Sequence, residues 1–113
     1  MNPINITTPP KKQLRHKYRA FPVEYDGIRF ASKKEGAYYL NLKMLQKQGD
    51  ILFFLRQVPF HLPGNTKYLL DFLVFWSDGT VRAIDTKGYK TSEYKLKKRQ
   101  VEALYSPLKI EEV

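Results

Sequence analysis

Two aspartates and a lysine stand out in residues 68–88, YLLDFLVFWSDGTVRAIDTKG, because their types and spacing suit metal-assisted chemistry. Asp71 interrupts an apolar run that predicts a strand buried on both faces, and Asp85 and Lys87 lie near the end of the next predicted strand. A buried carboxylate is costly unless a cation or a proton pairs with it. Paired carboxylates beside an ammonium could hold Mg²⁺ and hydrolyse a phosphodiester bond, with the ammonium orienting the nucleophile or stabilising developing charge.

The turn between these two strands decides whether the aspartates meet. Asp-Gly between apolar runs predicts a hairpin. A two-residue loop, Asp78-Gly79, would place Asp71 opposite Thr86 and the two aspartates on opposite faces. A three-residue loop over 77–79, with its glycine in the left-handed conformation, places Asp71 opposite Asp85. We predict this longer loop because it also keeps the shared face apolar through two further pairs, Leu73 with Ala83 and Phe75 with Val81.

The predicted pairing of Asp71 with Asp85 has an electrostatic consequence. Directly opposed carboxylates repel by on the order of 4 kcal/mol at about 4 Å and an effective dielectric near 20. The pair therefore needs a shared proton or a cation, and two or three oxygen ligands with room for water and phosphate suit Mg²⁺. Lys87 follows Asp85 by two residues, so its ammonium projects from the same face of the strand.

A predicted helix upstream carries a third acidic residue, Glu35. Ser32 is a candidate N-cap, and Glu35 three residues later completes the pattern of a capping box. The apolar stripe formed by Tyr38, Leu42 and Leu45 has Glu35 at its edge, so the carboxylate also points toward the sheet. Two roles stay open at this point: a helix cap, and a third acidic group at the site.

The elements that must position these residues follow a simple order within one domain. Pro59 is expected to interrupt the third strand, with the chain continuing at a sheet edge. The prediction is an α/β fold with a central mixed β-sheet flanked by helices. Its elements are a hairpin within 21–30, a helix from Ser32 to about Gly49, strands near 52–62, 68–76 and 80–87, a helix over 92–105 and a short strand within 108–113.

The charge balance favours a polyanionic partner. Twenty Lys and Arg residues against eleven Asp and Glu residues give a net charge of +9. One basic segment lies in an N-terminal arm, residues 1–20, which could equally be a solvated tail, and another follows Lys87 with almost no balancing acid. We predict DNA phosphate contacts by Lys11, Lys12, Arg15, Lys17 and Arg19 in the arm, and by Lys90, Lys95 and Lys98 in the second segment.

Several classes of protein are disfavoured by composition. The chain has no cysteine, which excludes disulfides and thiolate zinc sites, and neither histidine lies in a zinc-ligand spacing. No segment is apolar enough to span a membrane, and the N-terminus lacks a signal-peptide core. We therefore expect a cytoplasmic protein without a membrane partner.

Asp71 followed by Asp85-Thr86-Lys87 resembles the signature of the PD-(D/E)XK nucleases, with Leu70-Asp71 where that superfamily has Pro-Asp. The wider pattern S-x-x-E, Q-V-x-F-x-L, Y-x-L-D-F and D-x-K-G is similar to a group of small phage-encoded nucleases in the superfamily, some of whose relatives cleave branched DNA. The resemblance covers roughly residues 30–113. Gln57 matches the glutamine of this pattern, although a hydrogen-bonded strand residue is the simpler explanation of it.

The resemblance implies a restriction-endonuclease-like core over residues 21–113 and a Mg²⁺-dependent DNA endonuclease, with Mn²⁺ able to substitute. Asp71, Asp85 and Glu35 would then ligate the metal together with the carbonyl of Thr86, and Lys87 would position or activate the attacking water. It further implies a homodimer resembling Holliday junction resolvases. Two alternatives remain: a non-catalytic DNA-binding protein, and an accessory subunit of a phage replication or packaging complex.

Overall fold

The structure is a computed structural model that describes residues 21–113, so the predicted basic arm with Lys11, Lys12, Arg15, Lys17 and Arg19 lies outside the described residues. The elements in chain order are β1 (Val23–Tyr25), β2 (Ile28–Phe30), α1 (Lys33–Lys47), β3 (Ile51–Leu62), β4 (Thr66–Trp76), β5 (Val81–Asp85), α2 (Ser92–Leu104) and β6 (Ile110–Glu112). Every predicted element is present, with boundaries close to those expected.

The main sheet has four strands in the order β3-β4-β5-β6. β3, β4 and β5 form an antiparallel meander, and β6 pairs parallel to β5. β1 and β2 form a separate hairpin, with Asp26 and Gly27 both at positive φ in its turn. The prediction of an α/β fold with a mixed sheet and two helices is therefore confirmed.

Both helices begin at side-chain caps. The Ser32 hydroxyl accepts a hydrogen bond from the Glu35 amide at the start of α1, and the Thr91 hydroxyl does the same for the Tyr94 amide at the start of α2. Gly49, at φ +88°, follows the end of α1. Neither helix in the described part of the chain is long and apolar enough to cross a membrane.

The β4–β5 turn forms the predicted three-residue loop. The Trp76 amide donates to the Thr80 carbonyl at 2.9 Å, which closes the loop over residues 77–79, and Gly79 adopts φ +94°. The ladder pairs Leu73 with Ala83 and Phe75 with Val81, as predicted. Continuing this register places Asp71 across from Asp85, because the turn fixes the pairing of both strands.

Pro59 does not interrupt β3, so that prediction is wrong. The strand runs unbroken from Ile51 to Leu62, and Pro59 sits in the ladder opposite Leu69. β3 is an edge strand of the sheet, with β4 on one side only. Proline has no backbone N–H, and it is tolerated at this edge because β3 has no second neighbouring strand that would accept a hydrogen bond from it.

The sheet supports two hydrophobic clusters rather than one. The first joins Tyr39 and Leu42 of α1 to Phe72 and Val74 of β4 and to the β1–β2 hairpin. The second joins Tyr94 and Val101 of α2 to a different set of sheet residues, Leu62, Tyr68, Leu70, Ala83 and Ile110. Each helix therefore covers a core of its own.

The regular alternation of side chains breaks where the two clusters meet. Leu70 belongs to the second cluster and Phe72 to the first, although residues two apart in a regular strand face the same side. β3 changes in the same way, because Phe54 packs against the first cluster and Val58 against the second. Between them Gln57 adopts φ +50°, and the ladder skips it. On each strand, side chains on the two sides of one residue therefore pack in different clusters; that residue is Gln57 in β3 and Asp71 in β4.

Candidate active site

The four residues predicted to form a metal site are all buried at this switch. Asp71 lies in β4, Asp85 ends β5, Thr86 follows it, and Glu35 lies in the first turn of α1. Their exposures are 6% for Asp71, 0% for Asp85, 5% for Thr86 and 5% for Glu35, and they make up the buried polar set of the described residues. A cluster of carboxylates removed from water needs compensating partners, so each contact in it is informative.

Thr86 and Gln57 hold the Asp71 carboxylate from two sides. The Thr86 amide and hydroxyl both donate to Oδ2 of Asp71, at 2.9 and 2.7 Å. The Gln57 amide nitrogen lies 3.3 Å from Oδ1 and donates also to Oε2 of Glu35 at 3.0 Å. Burial opposes ionisation of Asp71, yet hydrogen bonding from Asp85 and Thr86 keeps its pKa below the usual value. Asp71 is therefore the ionised member of the pair.

Asp85 has one anchored and one free carboxylate oxygen. Oδ2 accepts a hydrogen bond from the hydroxyl of Tyr68. Oδ1 is buried and, while both aspartates are ionised, has no hydrogen-bond partner among the described residues; Nζ of Lys87 lies 3.9 Å from it. The Lys87 side chain is 39% exposed, so its ammonium stands between the buried carboxylate and solvent.

The environment raises the pKa of Asp85 to about 7. Burial is the main cause, and the neighbouring Asp71 carboxylate adds to it, while the hydrogen bond from Tyr68 and the charge of Lys87 oppose it. Two acids this close cannot both ionise cheaply, so without a cation the pair holds a proton on Asp85 near neutral pH. The expectation that the Asp71–Asp85 pair needs either a shared proton or a cation therefore agrees with this environment.

Glu35 reaches across to the sheet. Its amide completes the Ser32 cap, but its carboxylate accepts from Gln57 and lies 3.8 Å from the guanidinium of Arg56. Burial raises the pKa of Glu35 and the charge of Asp71 raises it further, while Arg56 lowers it. The backbone of Glu35 therefore serves the helix cap, and its side chain is connected to Asp71 through Gln57.

The site offers a cation two carboxylates, those of Asp71 and Asp85, rather than three. Within residues 21–113, no group of three or more His, Cys, Asp or Glu side chains is arranged to hold a metal ion. Mg²⁺ nevertheless commonly uses one or two carboxylates and fills its remaining positions with water and phosphate oxygens. Oδ1 of Asp85 beside ionised Asp71 fits such a cation, because a cation would replace the proton on Asp85 and compensate the negative charge of both carboxylates.

The second basic segment carries more balancing acid than predicted. Lys98 lies 3.5 Å from Glu102, and Lys97 lies 3.2 Å from Glu93, each pair one helical turn apart on α2. The expectation of almost no acid in this segment is therefore wrong. Lys90 and Lys95 are exposed, Lys90 in the loop before α2 and Lys95 on the helix, and their contact with DNA stays a prediction.

Two residues at the site were not predicted as members of it. Tyr68 donates to Asp85, and Arg56 faces Glu35. Tyr68 is three residues before Asp71, which would put the two side chains on opposite faces of a regular strand. Only the break in the alternation of β4 at Asp71 puts the Tyr68 hydroxyl on the same side as the carboxylates, so no local pattern signals it.

Asp85→Asn is expected to stabilise the protein in EDTA at neutral pH. Since folding raises this pKa from 3.8 to about 7, the folded state holds the proton that the unfolded state releases, and wild-type stability falls as pH rises through that window. Asparagine can still accept from Tyr68 and can donate to Asp71. The variant should match wild type near pH 4 and exceed it at pH 8 by about 4 kcal/mol, or roughly 20 °C in Tm.

Thermal melts from pH 4 to pH 8 measure this effect. Asp50→Asn, the same chemical change at an exposed aspartate, serves as the control and should leave the pH dependence as in wild type. Melting curves of Asp85→Asn that stay parallel to wild type across the range would contradict the prediction.

Comparison with known proteins places the chain in a family without assigning an activity. The profile of the family described as "Protein of unknown function (DUF1064)" matches residues 15–113, so the chain belongs to this family. No curated protein and no solved structure matches the chain.

Proposed function

We propose that this member of the DUF1064 family is a divalent-metal-dependent endonuclease that hydrolyses DNA phosphodiester bonds. The observation that carries the proposal is the buried Oδ1 of Asp85, which has no hydrogen-bond partner among the described residues unless the Asp71–Asp85 pair holds a proton, and which lies 3.9 Å from the ammonium of Lys87. A buried carboxylate pair left one charge short is costly in a purely structural role. A cation and a phosphate would satisfy both the carboxylates and the lysine.

The proposed metal ligands are Asp85 through Oδ1 and Asp71 through Oδ1. Oδ2 of Asp71 is already committed to the amide and hydroxyl of Thr86, whereas Oδ1 has only the longer contact to Gln57. Glu35 is linked to the same glutamine and would add its charge through bound water. The Thr86 carbonyl is a further proposed ligand. When bound, Mg²⁺ or Mn²⁺ would polarise the phosphate and lower the pKa of water.

Lys87 is proposed to orient the nucleophile. Its ammonium has three donors, lies 3.9 Å from Oδ1 of Asp85 and faces solvent, so it can hold a water or a non-bridging phosphate oxygen beside the carboxylates. A fixed cation at the point where negative charge develops stabilises the transition state more than the ground state.

The choice of DNA as substrate rests on charge. A net charge of +9 favours phosphate backbones, and exposed Lys90 and Lys95 follow the site along the chain. Branched DNA is the substrate that the resemblance to small phage nucleases suggests. A restriction-endonuclease-like core and a homodimer, in which two sites cut two strands, complete the proposal.

The test is cleavage of end-labelled DNA by the purified full chain. A four-way junction and a linear duplex of the same arm sequence are each incubated with Mg²⁺, Mn²⁺ or EDTA. We expect cleavage with either metal and none with EDTA, and the ratio of junction to duplex cleavage identifies the substrate class. DNA binding without cleavage under every metal condition would instead favour a non-catalytic DNA-binding protein.

A further inference from the structure

We infer that Tyr68 is a positioning residue that anchors Asp85 by one oxygen and so presents the other oxygen to the metal. This inference rests on the proposed function, because it assigns a role within the same site. It goes further by predicting that a buried tyrosine, which touches neither metal nor DNA, sets the affinity of the site for its cation.

The Tyr68 ring has little freedom to move. The residue is 4% exposed, packs in the second hydrophobic cluster with Leu70 and Ala83, and lies with its ring centroid 6.0 Å from that of Tyr94. Close packing of this kind restricts a side chain to one rotamer. Its hydroxyl therefore has a fixed position, and Oδ2 of Asp85 is the acceptor at that position.

Both aspartates are held by hydrogen bonds to Oδ2. Oδ2 of Asp71 receives two hydrogen bonds from Thr86, and Oδ2 of Asp85 receives one from Tyr68. Each carboxylate is thus fixed through Oδ2 and presents Oδ1 toward the other polar groups of the site, Gln57 in one case and Lys87 in the other. For Asp85 the only such anchor among the described residues is the Tyr68 hydroxyl.

Without that hydroxyl, the Asp85 carboxylate can rotate. The terminal torsion of aspartate is soft, and Oδ2 would become a second unpartnered buried oxygen. A rotated carboxylate presents its oxygens in several orientations, so a cation must first select one of them. Hydrogen-bond partners of metal ligands typically contribute 10–100-fold to metal affinity or activity. We expect Tyr68→Phe to weaken metal binding by a factor in this range.

The experiment measures Mn²⁺ binding to the full chain without DNA, by calorimetric titration of wild type, Tyr68→Phe and Tyr39→Phe. Tyr39 is a matched control because it too is a buried tyrosine whose hydroxyl donates to an aspartate, Asp26 at 2.7 Å, in the other hydrophobic cluster. All titrations run well below the melting temperatures of the variants, which circular dichroism establishes. Cleavage is then measured over a range of Mn²⁺ concentrations.

We expect Tyr68→Phe to raise the Mn²⁺ Kd about 10–100-fold, with cleavage recovering as Mn²⁺ is raised, while Tyr39→Phe binds like wild type. A purely structural role for Tyr68 would lower Tm and leave Kd unchanged. Equal Kd values for wild type and Tyr68→Phe would overturn this inference alone. Wild type that binds no Mn²⁺ and cleaves no DNA would overturn the proposed function, and this inference with it.

Discussion

Asp85→Asn is expected to lower metal-dependent DNA cleavage by about a thousandfold or more while leaving a folded protein. Asp85 supplies a fully buried carboxylate at the centre of the site, and the substitution removes its charge with little change in size. A neutral amide binds a hard divalent cation poorly and leaves Asp71 as the remaining aspartate of the pair. The same change is expected to raise stability in EDTA, so loss of activity cannot be attributed to unfolding.

Two measurements check this prediction. Single-turnover cleavage of labelled DNA gives the rate, and thermal melts with and without Mg²⁺ report metal binding. Wild type should gain stability with Mg²⁺ because ligand binding to the folded state favours it, whereas Asp85→Asn should gain little. Asp50→Asn is the control and should behave as wild type in both measurements. Cleavage by Asp85→Asn within tenfold of wild type would contradict a catalytic role for Asp85.

Lys87→Met is expected to lower the cleavage rate by about 10²–10⁴-fold and to leave metal binding intact. Methionine keeps much of the length of the side chain but removes the ammonium that faces Oδ1 of Asp85. Because the lysine repels a cation at that oxygen, its removal should preserve or strengthen the stabilisation by Mg²⁺. Activity and metal binding should therefore change separately, in contrast to Asp85→Asn, where both are lost.

The control for Lys87→Met is Lys43→Met, the same change at an exposed lysine of α1. It should retain wild-type cleavage and wild-type stabilisation by Mg²⁺. If Lys87→Met cleaved DNA as fast as wild type, the ammonium would have no part in the chemistry. If it instead lost Mg²⁺ stabilisation, Lys87 would support the site structurally rather than act on the substrate.

The burial of Asp71 and Asp85 side by side lowers the stability of the folded protein. Asp85 is fully buried, and its burial beside Asp71 outweighs the charge of Lys87 and keeps a proton on the pair near neutral pH. Two acids buried side by side lower stability, and proteins tolerate such a cost where function requires it. The predicted gain in stability of Asp85→Asn and its predicted loss of cleavage are two consequences of the same arrangement.

The sequence by itself determined the hairpin that brings the aspartates together. The Asp-Gly turn and the apolar alternation on both sides favour a three-residue loop, which fixes the register locally. The structure has that loop and pairs Leu73 with Ala83. The cap at Ser32 and the order of the elements are also local signals, and they too were predictable.

Two local expectations fail because they depend on how the elements assemble. Proline is a strand breaker in the middle of a sheet, but Pro59 lies on an edge strand, and edge position depends on which strands assemble. The second basic segment is partly neutralised by ion pairs within α2. Glu93 and Glu102 are close to Lys97 and Lys98 only because α2 places residues four apart on one face.

Only the tertiary structure decided how the site is held. Gln57 adopts φ +50° where β3 and β4 switch from the α1 core to the α2 core, and this break turns Tyr68 toward Asp85 and Gln57 toward Glu35 and Asp71. A local pattern of alternating residues predicts one face for each position and cannot represent a switch between faces. The switch exists because two helices, distant in sequence, each cover a different part of the same two strands.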